Sequence, residues 1–270
     1  MINKQIMERH FSQAAAAYDM YACVQKSMAQ ELMRFIEPAK AAQDVLEIGC
    51  GTGFLTQLLT AALPQATILA SDISSGMLAA AQARLGGCPR LQFAVKDGEA
   101  LWEQAEYDLV ISNAAFQWFV NPETAFRRIY DSLRPGGRLF FATFGPETFF
   151  ELHASFQAAL SLHHIPGEWQ NGPAFLSDRQ LLAYSAQAGF SSCCEEREYK
   201  EYFPAVRDFL HSVKKVGANN SSGSGKTLVS RRVMADMMKH YTEMYAWQGQ
   251  IPATYQVFYV ICKKPALTVG

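Results

Sequence analysis

The stretch Asp44-Val-Leu-Glu47-Ile48-Gly49-Cys50-Gly51-Thr52-Gly53-Phe54 decides the fold. Asp44 to Ile48 is an apolar run of strand length that passes straight into glycines. Phe54 to Leu63 then reads as a helix stopped by Pro64. Strand, glycine turn and helix in this order open a βαβ unit. Glycines here let backbone N–H groups approach a ligand closely, and the helix N-terminus that follows favours negative groups. A plain tight turn would accept the same glycines, so the loop is weighed with its surroundings.

The alternation continues outward. Thr67 to Ala70 is a strand ending in Ser71-Asp72, and Ser74 to Leu85 is a helix with Ser74 as its cap. Leu91 to Val95 and Tyr107 to Ile111 are strands, and Pro122 to Leu133 is a helix with proline at its start. Pro135-Gly136-Gly137 reads as a turn into the strand Arg138 to Thr143. Upstream, residues 1–37 read as helical, with Met28, Leu32, Phe35 and Ile36 at helical spacing and Pro38 closing the run. Downstream come helices over Thr148 to Leu162 and Asp178 to Ala188, the latter capped by Ser177, around a loop from Pro166 to Pro173. A strand over Ser191 to Tyr199, helices flanking a polar linker from Ala218 to Thr227, and a strand over Thr254 to Lys263 complete the chain. Strands alternating with helices predict an α/β fold: a doubly wound, mostly parallel sheet covered on both faces. We expect one domain over 1–270, with a helical cap at 1–37, a sheet core at 44–203 and 252–264, and a helical insertion at 204–247.

Composition limits the function. The chain has 270 residues, 49% hydrophobic and 18% charged, which suits a globular protein with a proper core. Its longest apolar stretches, such as Tyr255 to Cys262, are too short to cross a membrane, so no membrane association is expected. A net charge of −1 argues against a general nucleic-acid binder. The charge is uneven: residues 41–110 hold three Lys/Arg against eight Asp/Glu, and residues 200–240 hold eight against three. A basic segment in a neutral protein suits an acidic substrate or partner. Six cysteines without a CxxC pair and six histidines without an HExxH motif predict reduced thiols and no metal. Met1 to His10 lacks the apolar core of a secretory signal, so a cytoplasmic monomer is expected. Gly223-Ser-Gly-Lys226-Thr227 ends like a P-loop, but that pattern needs glycine where Asn220 stands.

The dinucleotide pattern G-x-G-x-x-G also fails, because the third glycine, Gly53, arrives one residue early. Read as E-x-G-x-G-x-G from Glu47, the loop instead resembles motif I of class I S-adenosylmethionine-dependent methyltransferases. The resemblance implies that Glu47, Gly49, Cys50, Gly51 and Gly53 form the cofactor loop, and that Asp72, with Ile73 beside it, holds both ribose hydroxyls. It further implies that Asp97 and Gly98 of Lys96-Asp97-Gly98 clamp the adenine and that Asn113 lies beside the methionine moiety. All four stations fall at strand C-termini, where open α/β sheets bind ligands.

The acceptor is narrowed by Phe11-Ser-Gln-Ala-Ala-Ala-Ala-Tyr18-Asp19-x-Tyr21-Ala-x-Val-Gln25, Ser112-Asn113-Ala-Ala-Phe-Gln117-Trp118, Val213-Lys214-Lys-Val-Gly217-Ala218 and Thr254-Tyr255. These resemble the malonyl-acyl carrier protein O-methyltransferases of biotin synthesis, the BioC family, over nearly the whole chain. One departure is the polar stretch Asn219 to Gly225. The family implies a seven-stranded Rossmann-like sheet with an N-terminal helical lid. It also implies methyl transfer from S-adenosylmethionine to the free carboxylate of a malonyl thioester, on acyl carrier protein or coenzyme A. A carboxyl with a pKa of about 4 is ionised at neutral pH, so no general base is required. Tyr18 and Trp118 are the expected positioning walls, and Tyr255 is an expected substrate contact. Lys214 is the first candidate cation for the acceptor carboxylate, and Arg127, Arg128, Arg231 and Arg232 are candidates to receive an acidic carrier. Two rivals stand beside this reading. The Ser112 to Trp118 segment also resembles trans-aconitate methyltransferases, and a domain that binds the cofactor without turnover is the alternative outside enzymes.

Overall fold

The computed structural model describes residues 2–167, 172–217 and 230–266. The chain opens with α1 (Lys4–Tyr21) and α2 (Cys23–Leu32), followed by short 3-10 turns at Met33–Phe35 and Glu37–Ala39. The alternating part runs β1 (Asp44–Ile48), α3 (Phe54–Ala62), β2 (Thr67–Asp72), α4 (Ser75–Leu85), β3 (Leu91–Val95), β4 (Tyr107–Asn113), α5 (Pro122–Ser132) and β5 (Leu133–Phe144). It closes with α6 (Phe150–Leu162), α7 (Asp178–Ala188), β6 (Ser191–Phe203), α8 (Val206–Lys215), α9 (Arg231–Tyr245) and β7 (Ile251–Lys263). Among the described residues no helix is long and apolar enough to cross a membrane.

The seven strands form one sheet in the order β3-β2-β1-β4-β5-β7-β6. The first five pair in parallel, while β7 runs antiparallel between β5 and β6. Alternate residues of the central strands feed two cores, as the pleat requires. Val45, Leu109, Ile111 and Phe140 face the layer of α2, α3, α6, α8 and α9. Leu46, Val110, Leu139 and Phe141 face α5 and α7, where Phe116 stacks on Phe141 at 3.9 Å between ring centroids.

Caps fix several boundaries as read from the sequence. Ser74 Oγ accepts from Met77 N at 3.1 Å, and Ser177 forms a reciprocal capping box with Gln180. Three expectations need correction. The helical run 1–37 divides at the buried Ala22, and Pro38 sits inside a 3-10 turn instead of ending a helix. Pro135-Gly136-Gly137 lies within β5, as a bulge. Leu133 pairs with Tyr107 and the register resumes at Leu109 with Arg138, so the proline, which has no N–H to give, falls in the skipped stretch. β6 and β7 pair from Ser191 with Lys263 to Phe203 with Ile251, well beyond their apolar centres. Charged residues of β6 continue this pairing because the edge of the sheet leaves them in solvent. The P-loop-like stretch and the polar linker lie outside the described residues.

Candidate active site

The glycine loop is tied to the end of the neighbouring strand. Gly49 N and Cys50 N donate to the Ser71 carbonyl at 2.8 and 2.9 Å. Gly51 adopts φ +54°, a left-handed conformation suited to glycine, and its N–H donates to Asp72 Oδ2 at 2.8 Å. Asp72 Oδ1 accepts from Ser74 N at 2.8 Å, so one carboxylate joins the loop to the start of α4. No atom lies within 4 Å of where a Cβ on Gly51 would stand, and that space is the cleft. Gly53 takes the N-cap position of α3 with φ +83° and does not line the cleft.

This cleft, about 640 Å³ and partly open to solvent, brings together Gly49, Gly51, Asp72, Ile73, Asp97, Gly98 and Asn113 with Tyr18 and Trp118. Glu47 and Cys50 line a smaller recess behind the loop, again with Gly51 and Asn113. Two buried acceptors here, Glu47 Oε2 and Asn113 Oδ1, have no hydrogen-bond partner. Burial pushes the Glu47 carboxyl up to about 8 and the Asp72 carboxyl up to about 6, against backbone N–H bonds that hold Asp72 down. Asp97 Oδ1 accepts from Glu99 N at 3.0 Å, and Oδ2 accepts from Lys4 Nζ at 2.5 Å. Lys4 also pairs with Glu99, so the start of α1 is moored at the cleft.

A second chamber, about 940 Å³, adjoins the first and shares four lining residues with it: Phe11, Tyr18, Ala114 and Trp118. They form the boundary, or window, at which the two meet. Phe11 meets Trp118 edge to face at 5.4 Å, and Ala114 holds φ +54° with its N–H on the Ala142 carbonyl at 2.8 Å. Burial, with Asp72 and Asp19 adding to it, pushes the Tyr18 hydroxyl far above its ordinary value, so it stays a protonated donor. Beyond the window the walls are largely aromatic and aliphatic, with Gln25, Gln117, Thr148, His153 and Ser212 as polar members and Tyr255 in place.

Lys214 is not among them. On α8, Phe209, Ser212, Val213 and Val216 turn inward, and the helical period carries Lys214 and Lys215 to the exposed side. Among the described residues no Lys or Arg lines this chamber, so Lys214 is not brought to its wall. The four arginines also fail to gather. Arg127 and Arg128 sit on α5, on the opposite face of the sheet from α9, which carries Arg231 and Arg232. The motif around Lys214 has a different use. Gly217 ends α8 at φ +75°, and a Cβ there would stand 3.0 Å from Phe11 Cδ1 and 3.2 Å from the His10 carbonyl. The late motif and the N-terminal motif thus meet at the window. Gln25 and Gln117 had been visible inside the motifs without a role, whereas nothing in the sequence marked Lys4 or Phe149.

A methyltransferase-domain family profile matches residues 45–137, which span the loop and the parallel strands. A malonyl-[acyl-carrier protein] O-methyltransferase of Anoxybacillus flavithermus is 42% identical over 96% of this chain and 97% of its own. One from Acetivibrio thermocellus is 39% identical over 98% of this chain and 95% of its own. In fold, the chain is similar to phosphoethanolamine N-methyltransferase 2 of Haemonchus contortus, solved with S-adenosyl-L-methionine. That likeness has a TM-score of 0.59 at 19% identity, over 94% of this chain and 57% of that one. Identity of this extent over nearly full length places the chain in the family of malonyl-[acyl-carrier protein] O-methyltransferases.

Proposed function

We propose that the protein moves a methyl group from S-adenosylmethionine to the free carboxylate of a malonyl thioester, on acyl carrier protein or coenzyme A, in biotin synthesis. One observation carries the reading: a cleft at the strand C-termini, holding Asp72, Asp97 and Asn113, adjoins a second, mostly apolar chamber across four shared residues. We read the chain as one domain acting as a cytoplasmic monomer, with no metal. The residues present fit the cofactor. Asp72 has capacity to accept two hydroxyls, Gly51 leaves backbone room for them, and Asp97 suits an exocyclic amine. The unpartnered Glu47 Oε2 and Asn113 Oδ1 suit an ammonium group.

When bound, S-adenosylmethionine supplies a methyl group on a sulfonium, already activated for transfer. The acceptor carboxylate is ionised at neutral pH, which is why no Ser-His-Asp or Cys-His set is needed. Catalysis then rests on alignment and exclusion of water at the window. Tyr18 reaches both cavities and keeps its proton, so it serves as an orienting donor, while Phe11 and Trp118 close the sides. Gln117 is held for service by two bonds, its Nε2 donating to the Ala114 carbonyl at 2.7 Å and its Oε1 accepting from the Thr143 hydroxyl at 3.1 Å. Mass spectrometry of malonyl-carrier protein incubated with enzyme and cofactor tests the reading. A product one methyl heavier is expected. Transfer to free aconitate alone would select the small-acid alternative, and tight cofactor binding with no product would select the non-catalytic one.

A further inference from the structure

Phe149 stands in a conformation that a bulky side chain rarely adopts, with φ +60° and ψ +34°. It is the residue just before α6, and it lines the acceptor chamber but not the cofactor cleft. Residues held in this region persist only where their surroundings over-determine them. Here the surroundings are explicit. Phe149 N donates to the Thr254 carbonyl on β7 at 2.7 Å, and its own carbonyl accepts from Leu152 N at 2.9 Å. One residue earlier, the Thr148 hydroxyl donates to the Gln256 carbonyl at 3.0 Å and accepts from Gln256 N at 3.2 Å. Two residues later, Glu151 accepts from Thr254 N at 3.3 Å with Oε2 and from the Thr254 hydroxyl with Oε1. Glu151 is 1% exposed and Thr254 is 2% exposed, so this is a buried carboxylate spent on holding the segment to β7.

What the clamp achieves is the placement of one ring. Phe149 meets Tyr255 edge to face at 4.7 Å and Phe209 at 5.0 Å. Tyr255 is itself fixed, its hydroxyl donating to Glu201 Oε2 at 2.8 Å. The result is a rigid aromatic wall that lines the second chamber and takes no part in the cofactor cleft. We propose that this wall sets the length of acyl chain the chamber accepts, with Phe149 as the specificity-determining residue and Glu151 as its positioning residue. The inference rests on the carboxyl-methylation reading above. Inside a chamber lined by rings fixed in this way, a diacid with added methylenes has to bend or push against the wall. A close-packed aromatic wall resists both.

The test compares transfer to malonyl and to glutaryl thioesters of the same carrier protein, with cofactor affinity measured separately by calorimetry. The wild type is expected to prefer malonyl strongly. Phe149→Ala should lower that preference at least roughly tenfold, a change typical of gained or lost methylene space in an apolar pocket, with cofactor affinity kept within about twofold of wild type. Phe149→Leu, which retains a large apolar side chain against Tyr255 and Phe209, should fall between them. Glu151→Gln should raise the Michaelis constant for malonyl carrier more than it lowers the turnover number, and should shift the preference in the same direction. A merely structural Glu151 would lower the melting temperature and leave the preference unmoved, which overturns its positioning role. An unchanged malonyl-to-glutaryl ratio in active Phe149 variants overturns the wall. A wild type inert toward every thioester overturns the function itself, and the wall with it.

Discussion

Burial pushes the Asp72 carboxyl in the cleft up to about 6 and the Glu47 carboxyl in the recess behind its glycine loop up to about 8. For Glu47 the consequence has a definite sign. Above its ordinary value of 4.5 the unfolded chain carries the charge while the folded, ligand-free protein does not. Stability from this group is therefore full at low pH and is lost as pH rises toward about 8, at about 1.4 kcal/mol per pH unit in that window. A bound cation reverses the preference, so cofactor affinity should rise over the same window with release of a proton. Glu47→Gln should remove both effects: thermal melts of the ligand-free variant should lose most of the decline between pH 6 and pH 8 that wild type shows, while the raised Asp72 keeps its own decline below about pH 6. Parallel pH profiles for the two proteins would return Glu47 to a packing role. Asp72→Ala should weaken cofactor binding by roughly 1–3 kcal/mol, since it unpairs Gly51 N and Ser74 N as well as removing an acceptor. Wild-type affinity by calorimetry would refute that assignment.

At the scale of elements, α1 does the most. It is moored to the cleft by Lys4 on Asp97, to α4 by Ser12 Oγ with Ser74 Oγ at 2.8 Å, and to the glycine loop by the Thr52 hydroxyl donating to Asp19 Oδ1 at 2.7 Å. Its Phe11 and Tyr18 then form half of the window. Gly217 at the end of α8 meets this helix from the other side, where an added methyl group would press on Phe11 at 3.0 Å and the backbone angle is one that L side chains avoid. Gly217→Ala should therefore press on Phe11 and disturb the window. The expected outcome is a fall in turnover of roughly tenfold, corresponding to about 1.4 kcal/mol, with cofactor affinity changed far less. Equal losses in both would show that α1 had left the cleft altogether.

Across the whole molecule, charge and chemistry are kept apart. The basic side chains of α8 and α9 lie on the outside, while the chamber behind them is lined by neutral groups among the described residues. Lys214→Ala should accordingly leave the Michaelis constant for malonyl-coenzyme A unchanged, and any effect with carrier protein should shrink as salt is added. A salt-independent loss on both acceptors would put the lysine back at the carboxylate. The cleft at the strand ends was legible in part: the family resemblance singled out Gly51, Asp72, Asp97 and Asn113, the apolar runs before them placed each at a strand end, and the structure gathers all four in one cleft. The doubly wound order followed from the same alternation. The acceptor half was not legible. Its walls come from α1, β5, the segment before α6, α8 and β7, which no local pattern links. Which residues face inward there depends on helix phase and on a strained backbone at Phe149. Lys214, beside Val213 in the chain, faces solvent for that reason. Local periodicity lets the sequence determine the strands, the loop and where each strand ends, but only long-range packing decides which side of a helix lines the chamber.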